Sequence, residues 1–117
     1  MRAQAVGRYG ERVAAAHLEA DGMRLLARNW RCPQGEIDIV ALDGGCLVVA
    51  EVKTRASTGC GLPVEAVTPR KLARLRRLTA TWLAGQPEGF TDVRIDVLDV
   101  ICPARGAARV THLRAVG

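Results

Sequence analysis

The chain of 117 residues is long enough for one domain with a modest hydrophobic core, and we predict a single domain over residues 1–117. A hydrophobic content of 49% argues against a disordered chain, and no apolar run approaches the ~18 residues that a membrane-spanning helix needs. The formal net charge of +5 favours an anionic partner, for which a nucleic acid and a generic basic surface both stay open as explanations.

The cysteines and histidines show no zinc-binding spacing. The four cysteines are widely separated: Cys32, Cys46, Cys60 and Cys102. None belongs to a Cys-x-x-Cys pair, and only His17 and His112 could supply nitrogen ligands beside them. The pattern is typical of reduced thiols in a cytoplasmic protein. The N-terminal residues lack the apolar core of a signal peptide, which agrees with that interpretation.

Residues 3–21 predict a first helix. The segment is rich in alanine and free of proline, and Gly22 follows at a position that favours a left-handed cap. One face carries small or aliphatic residues that let a helix backbone approach a sheet closely: Gly7, Gly10, Ala14 and Leu18. Glu11 lies along the edge of this face.

Three strands are predicted next. Residues 23–31 form the first, and a turn over residues 32–35 leads into a hairpin. Its strands, residues 36–42 and 46–53, are rich in Ile, Val and Leu and are joined by Asp43-Gly44-Gly45. If Gly44-Gly45 is the two-residue turn, Asp38 lies opposite Glu51 and Glu36 lies opposite Lys53.

The second half of the chain predicts a loop, a helix and one or two strands. Residues 56–67 contain two glycines and a proline and indicate a loop. Thr68 is a suitable N-cap and Pro69 a suitable first helical residue for a helix that ends near Ala84. Residues 92–101 predict a strand and residues 109–114 a short edge strand. The order indicates an α/β domain with a mixed central sheet flanked by helices.

Asp38 and Glu51 form the most informative pair. Like charges directly opposed across a hairpin are destabilising, and an ionised carboxylate among apolar residues is costly unless it is paired or bound to a metal. Two carboxylates suit Mg²⁺ or Mn²⁺, and Lys53 on the same face would assist an attacking water or neutralise charge on phosphorus. The alternative is an ordinary ion pair of Glu51 with Lys53 or Arg55, with Asp38 capping a turn.

The second predicted helix has an apolar stripe opposite a basic face. The stripe consists of Leu72, Leu75, Leu78, Trp82 and Leu83. Arg70, Arg74 and Arg77 fall on the other side, where they either contact successive phosphates or form a solvated basic face. Lys71 lies between the two sides, where we expect it to reach the acidic residues, and Arg55 is the stronger phosphate candidate. Aromatic residues make up 3% of the chain, so base stacking is not expected to dominate binding.

Two stretches resemble a known family. Gly35-Glu36-Ile37-Asp38 followed by Glu51-Val52-Lys53-Thr54-Arg55 resembles the PD-(D/E)XK nuclease core, and more narrowly the YraN family, which is similar to archaeal Holliday-junction resolvases. Further matching positions spread the resemblance over most of the chain: Gly7-x-x-Gly10-Glu11, Asn29, Val67-Thr68-Pro69-x-Lys71 and Arg94-x-Asp96. The Pro-Asp dipeptide of the superfamily is missing, because Ile37 precedes Asp38.

The resemblance implies a restriction-endonuclease-like fold and a catalytic site made of Asp38, Glu51, Lys53 and Glu11. It implies that Asp38 and Glu51 hold Mg²⁺ or Mn²⁺, with the Val52 carbonyl as a further ligand. Glu11 would complete the metal shell, although from helical geometry alone it is an ordinary exposed glutamate. Glu36 is either a further metal ligand or a salt-bridge partner of Lys53, and we favour the salt bridge.

The expected activity is that of a metal-dependent endonuclease that hydrolyses phosphodiester bonds in DNA, in preference to RNA, including branched or structured DNA. The similarity to junction resolvases also implies a homodimer, because two strands must be cut. Two alternatives remain at this point. One is a non-catalytic nucleic-acid-binding or assembly module that keeps the fold, and the other is a small dimerising protein with a surface ion-pair cluster.

Overall fold

The computed structural model describes residues 3–56, 67–87 and 89–117. The elements in chain order are α1 (Ala3–Ala20), β1 (Arg24–Cys32), β2 (Gly35–Asp43), β3 (Cys46–Arg55), α2 (Pro69–Ala84), β4 (Asp92–Ile101) and β5 (Arg109–Leu113). The predicted loop over residues 56–67 falls almost wholly on residues 57–66, which lie outside the described ranges, as does Cys60. Neither helix in the described residues has the length and apolar character that crossing a membrane requires.

The five strands form one mixed sheet. Their spatial order is β1-β2-β3-β4-β5, and every neighbouring pair is antiparallel except β3 and β4, which run parallel. Parallel neighbours cannot be joined by a hairpin, and α2 lies between β3 and β4 in the chain as part of the required crossover. The prediction of an α/β domain with a mixed sheet flanked by helices is confirmed.

The helices cover opposite faces of the sheet. The core on the α1 side includes Ala14, Leu18, Ile39, Val48, Ala50 and Leu98. The core on the α2 side includes Ile37, Leu47, Val49, Leu75, Leu78 and Trp82. Successive residues of β3 therefore alternate between two apolar layers, which explains why this strand is apolar on both faces. The predicted apolar stripe of α2 is confirmed, and Arg70, Arg74 and Arg77 are exposed on its other side.

Helix α1 touches β3 through Gly10. A Cβ added at Gly10 would lie 2.6 Å from Cγ2 and 2.8 Å from Cβ of Thr54, so only glycine permits this approach. Gly22 has a φ of +89° at the end of α1, as the predicted left-handed cap requires. Gly7 does not share this contact, because a Cβ there would have no heavy atom within 4 Å. The close approach at Gly10 places the next residue, Glu11, against the sheet.

The hairpin register is confirmed only up to its last regular pair. The pairing runs from Asp43 with Cys46 at the turn to Ile39 with Ala50, as a Gly44-Gly45 turn predicts. Beyond this point the two strands are no longer paired as a ladder. Ile37 belongs to the α2-side core whereas Ile39 belongs to the α1-side core, so the alternation of faces in β2 breaks at Asp38. Asp38 therefore lies at an opening in the sheet.

We expect alanine at Gly10 and alanine at Gly7 to have opposite effects on stability. Gly10→Ala forces α1 away from Thr54 and should lower the free energy of unfolding by about 1–3 kcal/mol. Gly7→Ala meets no obstacle and should raise it by about 0.5–1 kcal/mol, because alanine loses less backbone entropy in a helix. Urea denaturation of both variants measures the difference. Equal stability of Gly10→Ala and wild type would contradict the close approach.

Candidate active site

The site begins where the β2–β3 ladder ends. Oδ2 of Asp38 accepts a hydrogen bond of 2.8 Å from the backbone N–H of Val52. The carboxylate thus takes the position that a backbone carbonyl of β2 would occupy if the ladder continued. This bond holds Asp38 against the end of β3, one residue past Glu51.

Helix α1 and strand β1 bring a second set of polar groups to Asp38. Glu11, Glu36 and Asp38 each offer a carboxylate oxygen within 4.8 Å of the others. Asn29 in β1 lies between two of them: with its NH₂ group facing the carboxylates, it donates to Oε2 of Glu11 and Oε1 of Glu36, both at 3.0 Å. Its φ of +51° is a conformation that asparagine tolerates better than most residues.

Sequence reasoning gave Asn29 no role of its own. The available signal is that asparagine is depleted in strands, and here it interrupts one. The predicted pairing of Glu36 with Lys53 is wrong, because Oε2 of Glu36 forms a salt bridge of 3.0 Å with Nε of Arg31. Residue 36 lies beyond the last regular pair of β2 and β3, so the hairpin register no longer places it opposite Lys53.

Glu51 extends from β3 on the side that faces α2. Its side chain is 15% exposed, and its buried Oε2 accepts no hydrogen bond from any described residue. Two cations of α2 lie nearby: Nζ of Lys71 at 3.7 Å and an Nη of Arg74 at 3.9 Å from that oxygen. Both distances exceed a hydrogen bond but provide charge compensation. The prediction that Lys71 lies close to the acidic residues agrees with this geometry.

Burial and neighbouring carboxylates make Asp38 costly to ionise. Burial raises the pKa of Asp38 from 3.8 to about 7; the Val52 N–H opposes this rise, and the nearby carboxylates of Glu51 and Glu11 add to it. Glu51 contributes more to this rise than Glu11, and both carboxylates act on Asp38. Negative charge concentrated on buried oxygens in this way is relieved by a cation or a proton.

Lys53 lies two residues beyond Glu51, on the same side of β3. Its side chain is exposed, and within the described part of the chain no carboxylate oxygen lies within 4 Å of its ammonium. The structure therefore leaves this ammonium at the solvent edge of the acidic residues, not in a salt bridge with Glu51 or Glu36.

Arg55 has a different environment from the one predicted. Its guanidinium forms two hydrogen bonds of 3.0 Å, from Nε and Nη2, to the two carboxylate oxygens of Asp99 in β4. The side chains of Arg55 and Asp99 are only 11% and 2% exposed. A phosphate contact from Arg55 would break a bidentate pair and leave Asp99 buried as an unpaired charge. We therefore assign Arg55 to the ion pair that links β3 to β4 rather than to a binding surface.

The basic residues of α2 form a surface depression next to the acids. Thr68 accepts a hydrogen bond from the backbone N–H of Lys71 at 3.1 Å and so caps the helix as predicted. The depression has a volume of about 420 Å³ and is lined by Thr68, Arg70, Lys71, Arg74 and Arg77. Lys71 and Arg74 belong both to this surface and to the surroundings of Glu51, so the basic and acidic groups are contiguous.

The acidic donor set fits a hard divalent cation. Asp38, Glu51 and Glu11 supply only oxygen ligands, which Mg²⁺ and Mn²⁺ prefer. Oε2 of Glu51 is buried and accepts no hydrogen bond from the part of the chain that the structure describes, as a ligand oxygen would. The same three residues could alternatively be neutralised by a proton on Asp38 and by the cations of α2.

Comparison with known proteins identifies the family of this chain. The model of the uncharacterised protein family UPF0102 matches residues 10–100. A UPF0102 protein of Beutenbergia cavernae is 59% identical over 118 residues that cover both chains completely. Another, from Kineococcus radiotolerans, is 60% identical over 114 residues, 96% of this chain and 93% of the relative. The chain belongs to the UPF0102 family. The range matched to UPF0102 contains Glu11, Asp38, Glu51 and all of α2, and it stops before β5.

The raised pKa of Asp38 gives this UPF0102 protein a specific pH dependence of stability. Between about pH 4 and pH 7 the folded state retains a proton on Asp38 that the unfolded chain has lost, so the contribution of this group to stability falls as pH rises. Asp38→Asn keeps an acceptor for the Val52 N–H and removes the charge. It should therefore be more stable than wild type at about pH 8, with the difference vanishing near pH 4.

Thermal denaturation followed by circular dichroism in the presence of a chelator measures this difference. Asp92→Asn, at an exposed position at the start of β4, is the matched control and should not show the trend. If the thermal midpoints of wild type and Asp38→Asn change with pH in the same way, the crowding of carboxylates around Asp38 is contradicted.

Proposed function

We propose that this protein is a metal-dependent nuclease that hydrolyses phosphodiester bonds in DNA. The observation that carries the proposal is the crowding of Glu11, Asp38 and Glu51 at the end of β3, where burial and mutual repulsion raise the pKa of Asp38 to about 7. The resemblance of the GEID and EVK stretches to the PD-(D/E)XK core and to the YraN family supports it, as does a mixed sheet compatible with a restriction-endonuclease-like fold.

In this proposal Asp38 and Glu51 hold Mg²⁺ or Mn²⁺, and Glu11 completes the shell directly or through water. The Val52 carbonyl is a further ligand. In an extended strand the N–H and C=O of one residue point to the same side, and the Val52 N–H already points to Asp38. When bound, the ion supplies Lewis acidity toward a phosphoryl oxygen. Asn29 orients Glu11 by its hydrogen bond to Oε2.

Lys53 acts at the solvent edge of these acids. Its ammonium, which has no carboxylate partner among the described residues, orients the attacking water or neutralises charge developing on phosphorus. Its exposure lets an incoming phosphate reach it without breaking a salt bridge. A lysine whose charge is already committed to Glu51 would lose this capacity.

Helix α2 supplies the contacts to the nucleic acid backbone. Arg70, Arg74 and Arg77 are exposed along one side, and Lys71 and Arg74 lie within 4 Å of Glu51. A backbone bound along α2 therefore brings a phosphate next to the acidic residues. Contacts of this kind depend on charge and not on base sequence, so structured and branched DNA are included among the substrates we propose.

The setting we propose is the reducing cytoplasm. Among the described cysteines, Cys32, Cys46 and Cys102 are free thiols. A homodimer is part of the proposal when the substrate is a junction, because two strands must then be cut by two sites.

The arrangement around Glu51 favours one second candidate, a nucleic-acid-binding module without turnover. Lys71 and Arg74 already compensate the charge of Glu51 at 3.7 and 3.9 Å. In such a module the acids position the cations of α2 and no ion is needed. The two candidates differ in whether a divalent cation binds to Asp38 and Glu51.

Metal binding and cleavage separate the candidates. Calorimetry with Mn²⁺ should show binding to wild type and a loss for Asp38→Asn and Glu51→Gln. The protein is also incubated with linear, flapped, single-stranded and four-way-junction DNAs in Mg²⁺ or Mn²⁺. We expect it to cleave at least one of these DNAs. Glu51→Gln should lower the cleavage rate by more than about 100-fold, since even partners of metal ligands are worth 10–100-fold.

Glu51→Gln also controls for a contaminating nuclease, because a contaminant would cleave equally in both preparations. Mn²⁺ binding heats that are unchanged in both variants would remove the acids from the metal site. DNA binding with neither metal binding nor cleavage would favour the non-catalytic module.

The contribution of α2 to binding is tested by the salt dependence of affinity. Replacing Arg70 and Arg77 by glutamine avoids the residues near Glu51. The double variant should weaken DNA binding regardless of sequence and reduce the slope of log affinity against log salt by roughly 0.9 per lost phosphate contact. Arg105→Gln, at an exposed position between β4 and β5, is the matched control. Equal slopes for the double variant and the control would exclude α2 as the phosphate-binding surface.

A further inference from the structure

The two histidines of the chain, 95 positions apart, meet between α1 and β5. Nε2 of His17 lies 3.3 Å from Nδ1 of His112, with the ring planes at 72° to one another. Oδ2 of Asp21, one helical turn after His17, lies 3.9 Å from each of these nitrogens. Three potential ligand atoms, from α1, from the turn that follows it and from β5, thus lie within 4 Å of one another.

We propose that His17, His112 and Asp21 form a binding site for Zn²⁺ or a similar first-row transition metal ion. An ion about 2.0–2.1 Å from each ligand atom in a tetrahedral site separates the ligand atoms by roughly 3.3–3.4 Å. The observed separations of 3.3, 3.9 and 3.9 Å require the carboxylate to move by only about half an ångström. Three protein ligands leave a fourth position for water or an exogenous ligand.

A fully buried carboxylate orients His112 for this role. Oδ2 of Asp96, which is 0% exposed, lies 2.8 Å from Nε2 of His112. Its Oδ1 accepts hydrogen bonds from the backbone N–H of Ala115 and from Nε of Arg94. Asp96 is thereby held as an acceptor, so Nε2 of His112 carries the proton and Nδ1 presents its lone pair toward His17.

This is the arrangement in which a carboxylate fixes the tautomer of a metal-binding histidine. Without an ion, Nε2 of His17 donates to the lone pair of His112. On metal binding the proton of neutral His17 resides on Nδ1, and both nitrogens that face the site become ligands. The two imidazoles favour Zn²⁺, Co²⁺ or Ni²⁺ over the Mg²⁺ and Mn²⁺ that suit the acidic residues.

The end of α1 favours a cation at this site, and among the described residues Arg114 competes with it for Asp21. The site lies at the C-terminal end of α1, where the helix dipole favours positive charge. Arg114 competes, because its guanidinium forms an ion pair of 2.6 Å with Oδ2 of Asp21. Arg114 also lies 3.9 Å from Asp43 and is half-exposed, so it has a second carboxylate to pair with when Asp21 turns toward an ion.

An ion here would connect the two ends of the described chain. His17 belongs to α1, Asp21 directly follows that helix, His112 belongs to β5, and Asp96 adds β4 through its hydrogen bond. Binding to the folded state alone raises stability by mass action. The site is independent of the acidic residues, since Glu11 and His17 are separated by about 9 Å along the axis of α1.

The test is a titration of the tag-free, metal-stripped full chain with Zn²⁺ and Co²⁺ in excess Mg²⁺. We expect one equivalent to bind, tetrahedral ligand-field absorption from Co²⁺, and a rise in the thermal midpoint with Zn²⁺. His17→Gln should weaken Zn²⁺ binding by at least tenfold and abolish the rise. His17 is 33% exposed, so this variant is expected to fold even if replacements of the more buried His112 do not.

Two matched variants complete the test. Arg114→Gln removes the competitor and should bind Zn²⁺ at least as tightly as wild type, whereas Asp92→Asn, at an exposed position at the start of β4, should bind it unchanged. If His17→Gln and wild type give the same Zn²⁺ isotherm, or if Co²⁺ binds without tetrahedral absorption, the proposal is overturned. Because these readouts are metal binding and the thermal midpoint and not DNA cleavage, the outcome does not depend on whether the protein is a nuclease.

Discussion

The hydrogen bond from the Val52 N–H to Asp38 is the interaction on which the acidic site depends. It forms because the β2–β3 ladder ends after Ile39 and Ala50, and it ties a carboxylate to the position where a backbone carbonyl would otherwise lie. The carboxylate is consequently buried beside Glu51. A side chain that serves as a ladder partner cannot turn to solvent when it ionises, so its negative charge must be compensated where it stands.

Two neighbouring features hold the rest of the site around that bond. Gly10 lets α1 lie directly on Thr54, which sets the height of Glu11 above the sheet. Asn29 then spans Glu11 and Glu36 from the other side, at the expense of an unusual backbone conformation. An unusual backbone conformation beside crowded carboxylates is a pattern that functional sites show in stable domains.

The negative charge of Glu51 can be compensated either by a bound cation or by the basic side chains of α2. Toward β2 it faces Asp38, whose pKa it helps to raise, and toward α2 it faces Lys71 and Arg74. A divalent cation would compensate both carboxylates and release the two basic side chains toward a phosphate backbone. Metal binding and nucleic acid binding would then be coupled. Each basic side chain that leaves Glu51 when the metal binds becomes available to a phosphate.

The local elements were determined by the sequence itself. Helix α1 with its cap at Gly22, α2 with Thr68 and Pro69, the extent of β4 and the register at the hairpin turn all follow from patterns within a few residues, since backbone propensity and hydrophobic periodicity act over that range. The proximity of Asp38 and Glu51 also follows, because a short turn brings nearby residues together.

Only the tertiary structure decided the partners of the charged groups. Arg55 pairs with Asp99, and His112 pairs with both His17 and Asp96. Arg55 and Asp99 are 44 positions apart, and their contact requires the parallel placement of β4 beside β3. Which side chains meet across layers depends on how helices pack on opposite faces of the sheet, and no local pattern contains that information.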